Sequence, residues 1–363
     1  MPRQKKIILL IDSLASGGAE GVCVNLANNL YKNGWNVTLL LMRSDGRELI
    51  SRVDKNIKID SLNVCSARLA IRPLIKYLKV EKIKVLISFT YELTILAIIS
   101  RYFSKRHFKL VARNINSLSM ISKKTTSKYR KYFLYPVIKW IYPKADIIVN
   151  QCLEMEKEIN SILPKTIGKT VTIYNPVSKA IEEYVNKNQI NNSKDDYILC
   201  VGRLENQKAF DLAIDAFFLF QQDHPQFKLK IVGKGRLESQ LKLKVEKLMI
   251  SHKVIFCGYQ SDLIDLYSHA KVTLLTSLFE GFPNVLIESI SLGTPIVSVD
   301  CKNGPNEIIN NLNGVLVNDR SDIEIKKGLE YVIINDYQYK AIANQAKVFS
   351  NKNAIEKWEE ILS

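Results

Sequence analysis

At 363 residues the chain is long enough for two domains of ordinary size, and 47% hydrophobic residues supply a core for each. A formal charge of +16 points to anionic partners: a nucleotide, a nucleic acid or an acidic membrane surface. Six scattered cysteines without CxxC spacing exclude a disulfide framework, and the most apolar stretch, 85–99, carries Glu92 and is too short to span a bilayer. Lys5-Lys6 run straight into a short apolar strand, so the expectation is a soluble, cytosolic protein without a secretory signal, its thiols reduced in the core.

In chain order, apolar runs at 7–11, 37–42, 85–89, 110–112, 147–150 and 171–174 predict strands, and Val22, Leu26, Ala27 and Leu30 mark the clearest helix, 19–32. Asp12-Ser13-Leu14-Ala15-Ser16-Gly17-Gly18-Ala19-Glu20 joins the first strand to that helix. Paired glycines let backbone approach an anion, and a helix N-terminus favours its charge. The turn lacks the Lys-Ser/Thr of a P-loop, which argues against ATPase chemistry of that type. Asn175-Pro176 breaks the alternation, because the residue before proline is pushed out of helical space. A polar tract, 186–196, follows, so 176–196 is expected to link a domain of residues 1–175 to a second of residues 197–345.

Strands are then expected at 197–201, 229–232, 254–257, 272–276 and 295–299, with helical patterns between them. Alternation of this kind means parallel sheets with right-handed crossovers. The fold class is α/β: two doubly wound, Rossmann-like domains facing a cleft, with ligands at the carboxyl ends of the strands. A last helix, within 346–363, could pack on either domain.

Chemistry concentrates in Ser277-Leu278-Phe279-Glu280-Gly281-Phe282-Pro283-Asn284-Val285-Leu286-Ile287-Glu288. Pro283 fits the first turn of a helix whose mouth, at Asn284, presents free amides to a phosphate. Glu288 lies on the same helix face as Asn284, while Glu280 stands in the loop before it. One carboxylate can address the reacting end of a ligand and the other its far end. Gly202-Arg203-Leu204-Glu205-Asn206-Gln207-Lys208 offers two cations, Arg203 and Lys208, that can neutralise the same anion in place of a divalent metal. Gly233-Lys234-Gly235-Arg236 opens like a dinucleotide fingerprint, but Glu238 stands where its third glycine belongs. It reads as the floor of a nucleotide site. Asn303-Gly304-Pro305-Asn306-Glu307 follows another strand. There is no Asp-x-Asp, HExxH, His pair or GxSxG, and the four histidines are isolated, so no metal site is expected.

Together these motifs resemble the retaining glycosyltransferases of family 4, which have the GT-B fold. The resemblance rests on Ser-Gly-Gly-Ala-Glu, on Asn-Pro-Val at 175–177, on the Gly-Arg-Leu…Lys loop and on Glu280-x7-Glu288. It implies that Gly17, Gly18, Arg203 and Lys208 hold the diphosphate of a sugar nucleotide. It also implies that Glu280 contacts the donor sugar and Glu288 the ribose, with Gly281, Phe282, Asn284 and Val285 completing the donor site. Front-face transfer with retention follows from it, the leaving diphosphate helping to take the acceptor proton. Many relatives carry a histidine near the donor sugar. The equivalent stretch, 112–116, has none, and Arg113 or Asn114 is expected at the donor sugar or acceptor instead.

No acid occurs between Glu92 and Asp146, a stretch rich in Lys, Arg, Tyr, Phe and Trp. Such a mixture suits an anionic bilayer surface. The resulting expectation is a cofactor-free, metal-independent hexosyltransferase, peripheral on the inner face of the cytoplasmic membrane. It would use a sugar nucleotide, UDP-linked, and a lipid-linked glycan acceptor of O-antigen, capsule or lipopolysaccharide synthesis, and no nucleic acid. The alternatives are a GT-B-fold sugar-nucleotide epimerase, or a basic binding protein without turnover.

Overall fold

The computed structural model describes residues 5–15, 17–46, 48–66, 69–119 and 135–363. The chain forms two compact units, Met1–Pro176 with Asn351–Ser363, and Val177–Ser350.

The first unit is built on seven parallel strands, β1 (Lys6–Ile11), β2 (Asn36–Leu41), β3 (Lys58–Ser61), β4 (Val85–Ser88), β5 (Lys109–Arg113), β6 (Ile147–Asn150) and β7 (Thr170–Thr172). Their order across the sheet is β3-β2-β1-β4-β5-β6-β7. Alternation of side chains sends Ile7, Leu9 and Ile11 to one face and Ile8 and Leu10 to the other, so β1 needs an unbroken apolar run. The first face is covered by the helices Gly18–Lys32 and Asn351–Leu362, through Val24, Leu26, Ala27, Leu30, Trp358 and Leu362. The helices Ile71–Val80 and Tyr91–Ser104 cover the second through Leu74, Leu78, Leu93 and Leu96. The last helix therefore belongs to the first unit. Asn351 Oδ1 also accepts from Asn25 Nδ2 at 2.8 Å and Asn29 Nδ2 at 3.0 Å. β3 was not expected: its sequence, Lys-Ile-Asp-Ser, is half polar because it is an edge strand without a second covered face.

The second unit carries six parallel strands, β8 (Asp195–Val201), β9 (Lys228–Val232), β10 (Val254–Gly258), β11 (Ala270–Leu275), β12 (Ile296–Val299) and β13 (Gly314–Val317), in the order β10-β9-β8-β11-β12-β13. β13 also escaped the sequence reading, being four residues long and opening on Gly314. The stretch 176–196, expected as a linker, contains the helix Lys179–Lys187. Ser178 caps it by accepting the Ile181 amide, and Ile181 is buried, so this segment is part of the second unit. Lys194 is half-buried at its end, donating to Ser268 O at 2.6 Å and Thr294 Oγ1 at 2.8 Å. Burial, helped by Lys271, pushes its pKa down to about 8. Cys23, Cys152, Cys200 and Cys301 are buried free thiols, but Cys65 is exposed and Cys257 half-buried.

In each sheet one pair of neighbours has crossovers leaving in opposite directions: β1 and β4 in the first, β8 and β11 in the second. A crevice opens at the carboxyl ends of such a pair. Among the described residues no helix is long and apolar enough to cross a membrane.

Candidate active site

At the β8/β11 crevice the loop after β8 meets the loop after β11. Lys208 Nζ lies 2.6 Å from Glu280 Oε1, and Ser277 Oγ donates to the same oxygen at 2.5 Å. Glu280 is only 7% exposed, so it depends on both partners. Its position is fixed by backbone as well: the Glu280 amide donates to Lys302 O at 3.1 Å, and Asn303 Nδ2 donates to Glu280 O at 3.0 Å. The loops after β8 and β11 are stitched together by the Leu278 amide on Gln207 O (2.8 Å) and by Gln207 Nε2 on Phe279 O (3.0 Å). Arg320, beyond β13, donates Nη1 to the Thr276 and Ser277 carbonyls at 3.0 and 2.6 Å. Ser277, Gln207, Asn303 and Arg320 were given no individual role by sequence. Three lie inside motifs already singled out, whereas Arg320 carries no local signal.

Arg203 is exposed, and its side chain has no hydrogen bond or ion pair with any described residue. The structure thus joins Lys208, but not Arg203, to Glu280. The Gly233–Arg236 segment is a buttress for this loop. The Gly202 amide donates to Val232 O and the Leu204 amide to Lys234 O, each at 3.0 Å. Gly233 has φ +141°, and a Cβ there would lie 1.9 Å from Gly202 O, so only glycine permits this approach.

Pro283 is the residue before the helix Asn284–Ser291, not part of its first turn. The Asn284 amide donates to Phe282 O (3.0 Å) and the Leu286 amide to Pro283 O (2.9 Å), so two amides expected to await an anion already have carbonyl partners. Gly281, Asn284 and Val285 are half-buried on this loop and helix start, and Phe282 is buried beneath them. Gly304, at φ +109°, packs so closely that a Cβ would meet the Phe282 ring and Pro283 Cδ, each at 2.7 Å. Glu288, half-buried on the helix, accepts from the Tyr267 hydroxyl at 3.1 Å through Oε2. Burial, then the Glu288 carboxylate, hold the Tyr267 pKa well above its ordinary value, so the hydroxyl remains a donor.

Four expected residues belong to the first unit. Gly17 immediately precedes the helix that starts at Gly18, and the Glu20 carboxylate folds back to 2.1 Å from where a Gly17 Cβ would stand. That carboxylate occupies the helix mouth where an anion was expected. Arg113 is buried, donates to Asn175 Oδ1 and lies over the Phe89 ring at 5.3 Å. Burial lowers its pKa to about 10, leaving it a cation at neutral pH. Asn114 is buried too. It donates to Asn150 Oδ1 at 2.7 Å, accepts from the Tyr142 hydroxyl, and its carbonyl accepts from Gln151 Nε2 at 2.8 Å. Both side chains are held in a polar network inside their own unit, with Asn175 Nδ2 closing it onto Gln151 Oε1 at 2.8 Å. Arg113 Nη1 has no hydrogen-bond partner among the described residues.

Residues 181–349 match the family described as glycosyl transferases group 1. These residues form a group 1 glycosyl transferase domain, and the chain has the GT-B fold. Among individual proteins, it is 28% identical to an uncharacterized glycosyltransferase of Haemophilus influenzae, over 99% of this chain and all of that one. It is 29% identical to the N-acetylgalactosamine-N,N'-diacetylbacillosaminyl-diphospho-undecaprenol 4-alpha-N-acetylgalactosaminyltransferase of Campylobacter jejuni, over 94% of each chain. Its fold superposes on Anabaena HepE in complex with UDP with a TM-score of 0.76 at 19% identity, covering 98% of this chain and 99% of that one.

Proposed function

We propose that the protein transfers a hexose or N-acetylhexosamine, with retention of configuration, from a UDP-sugar to a lipid-linked glycan in the assembly of a bacterial surface polysaccharide. The observation that carries this reading is the Lys208–Glu280 pair at the β8/β11 crevice, with Glu288 on the helix that follows the Glu280 loop. The acceptor class is supported by the Campylobacter relative, named for a diphospho-undecaprenol substrate. UDP is supported by the Anabaena structure that holds it.

In this reading Lys208 and the exposed Arg203 place positive charge on the diphosphate, so the reaction needs no divalent metal. Glu280 orients the donor sugar, and Glu288, kept in place by Tyr267, accepts from the ribose hydroxyls. The bond from the anomeric carbon to phosphate breaks, its electron pair leaving with the diphosphate. The acceptor hydroxyl oxygen bonds to that carbon on the same face and gives its proton to the departing phosphate. Fixed cations stabilise charge where it develops, which is commonly the largest contribution to such catalysis. Gly17 and Gly18 contribute backbone to the donor phosphates once Glu20 swings aside. The enzyme works at the cytoplasmic face of the membrane, as a peripheral protein drawn by its positive charge.

Radiolabelled UDP-glucose, UDP-galactose and their N-acetylamino counterparts, each incubated with extracted lipid-linked acceptors in EDTA, test this reading. Label should enter the lipid fraction despite the chelator, and the new linkage should keep the anomeric configuration of the donor. Epimerised nucleotide sugar without transfer would overturn it, as would activity lost in EDTA and regained with magnesium.

A further inference from the structure

The membrane reading rested on an acid-free stretch whose Lys123, Lys124, Lys128, Arg130 and Lys131 lie outside the described residues. A different part of the first unit carries the idea further. In a parallel sheet every helix-to-strand junction falls on the same edge, and β4, β5, β6 and β7 are consecutive neighbours. Their four junctions therefore stand side by side, over about 14 Å. Each exposes large apolar surface: Val80 (75% exposed) before β4, Tyr102 (79%) and Phe103 before β5, Trp140 (78%) before β6, and Ile167 before β7.

Hydrogen bonds and ring contacts tie each junction to the next. Arg106 Nη2 donates to Lys79 O, joining the first and second. Arg101 Nη2 donates to Lys144 O at 2.8 Å, joining the second and third. Lys169 Nζ donates to Pro143 O at 2.8 Å, and Lys165 Nζ lies 5.6 Å from the centre of the Trp140 ring, joining the third and fourth. The alignment is thus a feature of side chains as well as of topology.

Charge along this edge has one sign. Residues 79–84, 101–109, 139–146 and 163–169 hold eleven Lys and Arg against two acids. Both acids are paired, Glu81 with Lys6 and Lys58, and Asp146 with Arg101. An apolar row on a protein surface marks a contact site. Protruding Trp and Tyr, interleaved with an excess of Lys and Arg over acids, match the headgroup layer of an anionic bilayer, where rings sit at the interface and each cation adds attraction.

We propose that this amino-terminal edge of the first sheet, from Val80 to Ile167, is the face that lies against anionic lipid. The proposal rests on the membrane reading above and specifies its contact surface. Trp140 inserts at headgroup depth with Tyr102 and Phe103 beside it, while Lys105, Lys139 and Lys165 meet the lipid phosphates. Docking through an edge, rather than through a crossing helix, makes the attachment reversible by salt.

The protein contains its own probe. Of its three tryptophans, Trp35 and Trp358 are buried in the core and only Trp140 is exposed. The full chain is mixed with vesicles of phosphatidylcholine and phosphatidylglycerol, and with phosphatidylcholine alone, at low and high salt. Tryptophan emission should shift to the blue and be quenched by brominated lipid with the anionic vesicles at low salt, and salt should reverse both. Tyr102→Ser with Phe103→Ser and Trp140→Ser should weaken cosedimentation by about tenfold or more, as should Lys105→Gln with Lys139→Gln and Lys165→Gln. UDP binding by both variants should match the wild type, which verifies their fold and separates this proposal from the glycosyltransferase reading. Vesicle binding that leaves Trp140 emission unmoved, or survives both sets of substitutions, would overturn the edge while preserving the membrane reading. A wild type that binds no vesicle and dimerises through this edge, becoming monomeric in the aromatic variant, would show that a second copy is its occupant.

Discussion

Between β8 and β11 the protein places a nearly buried ion pair, Lys208 with Glu280, on loops that Gln207 and Asn303 tie to backbone carbonyls. Around β4, β5 and β6 of the first unit, buried polar groups bond mainly to one another. Ser88 meets Thr94, Thr90 caps its helix, and Arg113, Asn114, Asn150, Gln151 and Asn175 form one network. The bonds that are made rigidify this region, although Arg113 Nη1 and Asn150 Nδ2 are buried without a hydrogen-bond partner among the described residues. An ion pair at a crevice has two charges that a bound anion and a sugar hydroxyl can re-partner. Two sheets of one plan thus differ: the crevice of the second holds a close ion pair, and the first holds a hydrogen-bonded polar network.

Substitutions at the pair should break this contrast most visibly. Lys208→Ala and Glu280→Ala should each cut initial transfer rates by roughly a hundredfold or more, whereas Asn114→Ala should lower them far less while reducing thermal stability. Lys208→Ala should also destabilise the fold by about 3 kcal/mol, because it strands a buried carboxylate, and the double variant should recover part of that loss. Denaturant titration of the three variants measures it.

Next in size is Glu288→Ala. Losing charge-assisted hydrogen bonds of about 1.5–3 kcal/mol should weaken UDP-sugar binding by roughly 10- to 100-fold in calorimetry, with a smaller effect on the rate at saturation. A loss confined to the saturated rate would assign Glu288 to the chemical step instead.

Glycines in the two units should respond differently. Gly233→Ala forces a side chain into Gly202 O from a left-handed backbone, so expression or melting temperature should fall sharply. At Gly17 the backbone is extended (φ −145°) and the atom in the way is the end of the Glu20 side chain. Gly17→Ala should therefore melt within a few degrees of wild type, and its donor affinity then reports whether that turn touches phosphate.

The smallest expected effect is a pH dependence. The folded pKa of Lys194, about 8, lies below its ordinary value of 10.5. Between those values the unfolded chain holds a proton that the folded chain has lost, so this group makes stability rise as pH increases through that window. Below about pH 8 both states are protonated and the burial penalty is constant. Lys194→Met should remove that rise, read as the difference between wild-type and variant melting temperatures across the window.

The strands legible in sequence were those covered on both faces, such as β1, β4 and β8, whose burial demands unbroken apolar runs. β3 and β13 were missed because an edge or very short strand leaves no such run. The helix Lys179–Lys187 was hidden by the asparagines that follow it. At the site, Glu280, Lys208 and Glu288 could be singled out because each lies in a turn or helix start after a strand. That Lys208 meets Glu280 was not legible, since it depends on β11 returning beside β8 after β9 and β10. Arg320 was invisible for the same reason. Gly233 stood out as glycine, but whether it faced a nucleotide or Gly202 O is a matter of tertiary approach.

UDP calorimetry on Glu280→Ala, run beside its rate of labelled-sugar transfer to lipid-linked acceptor, tests the role proposed for the Lys208–Glu280 pair most directly. UDP affinity should stay within a few-fold of wild type while transfer falls by about a hundredfold or more. Transfer at the wild-type rate, with UDP bound normally, would show that the Lys208–Glu280 pair is structural and that the chemistry lies elsewhere.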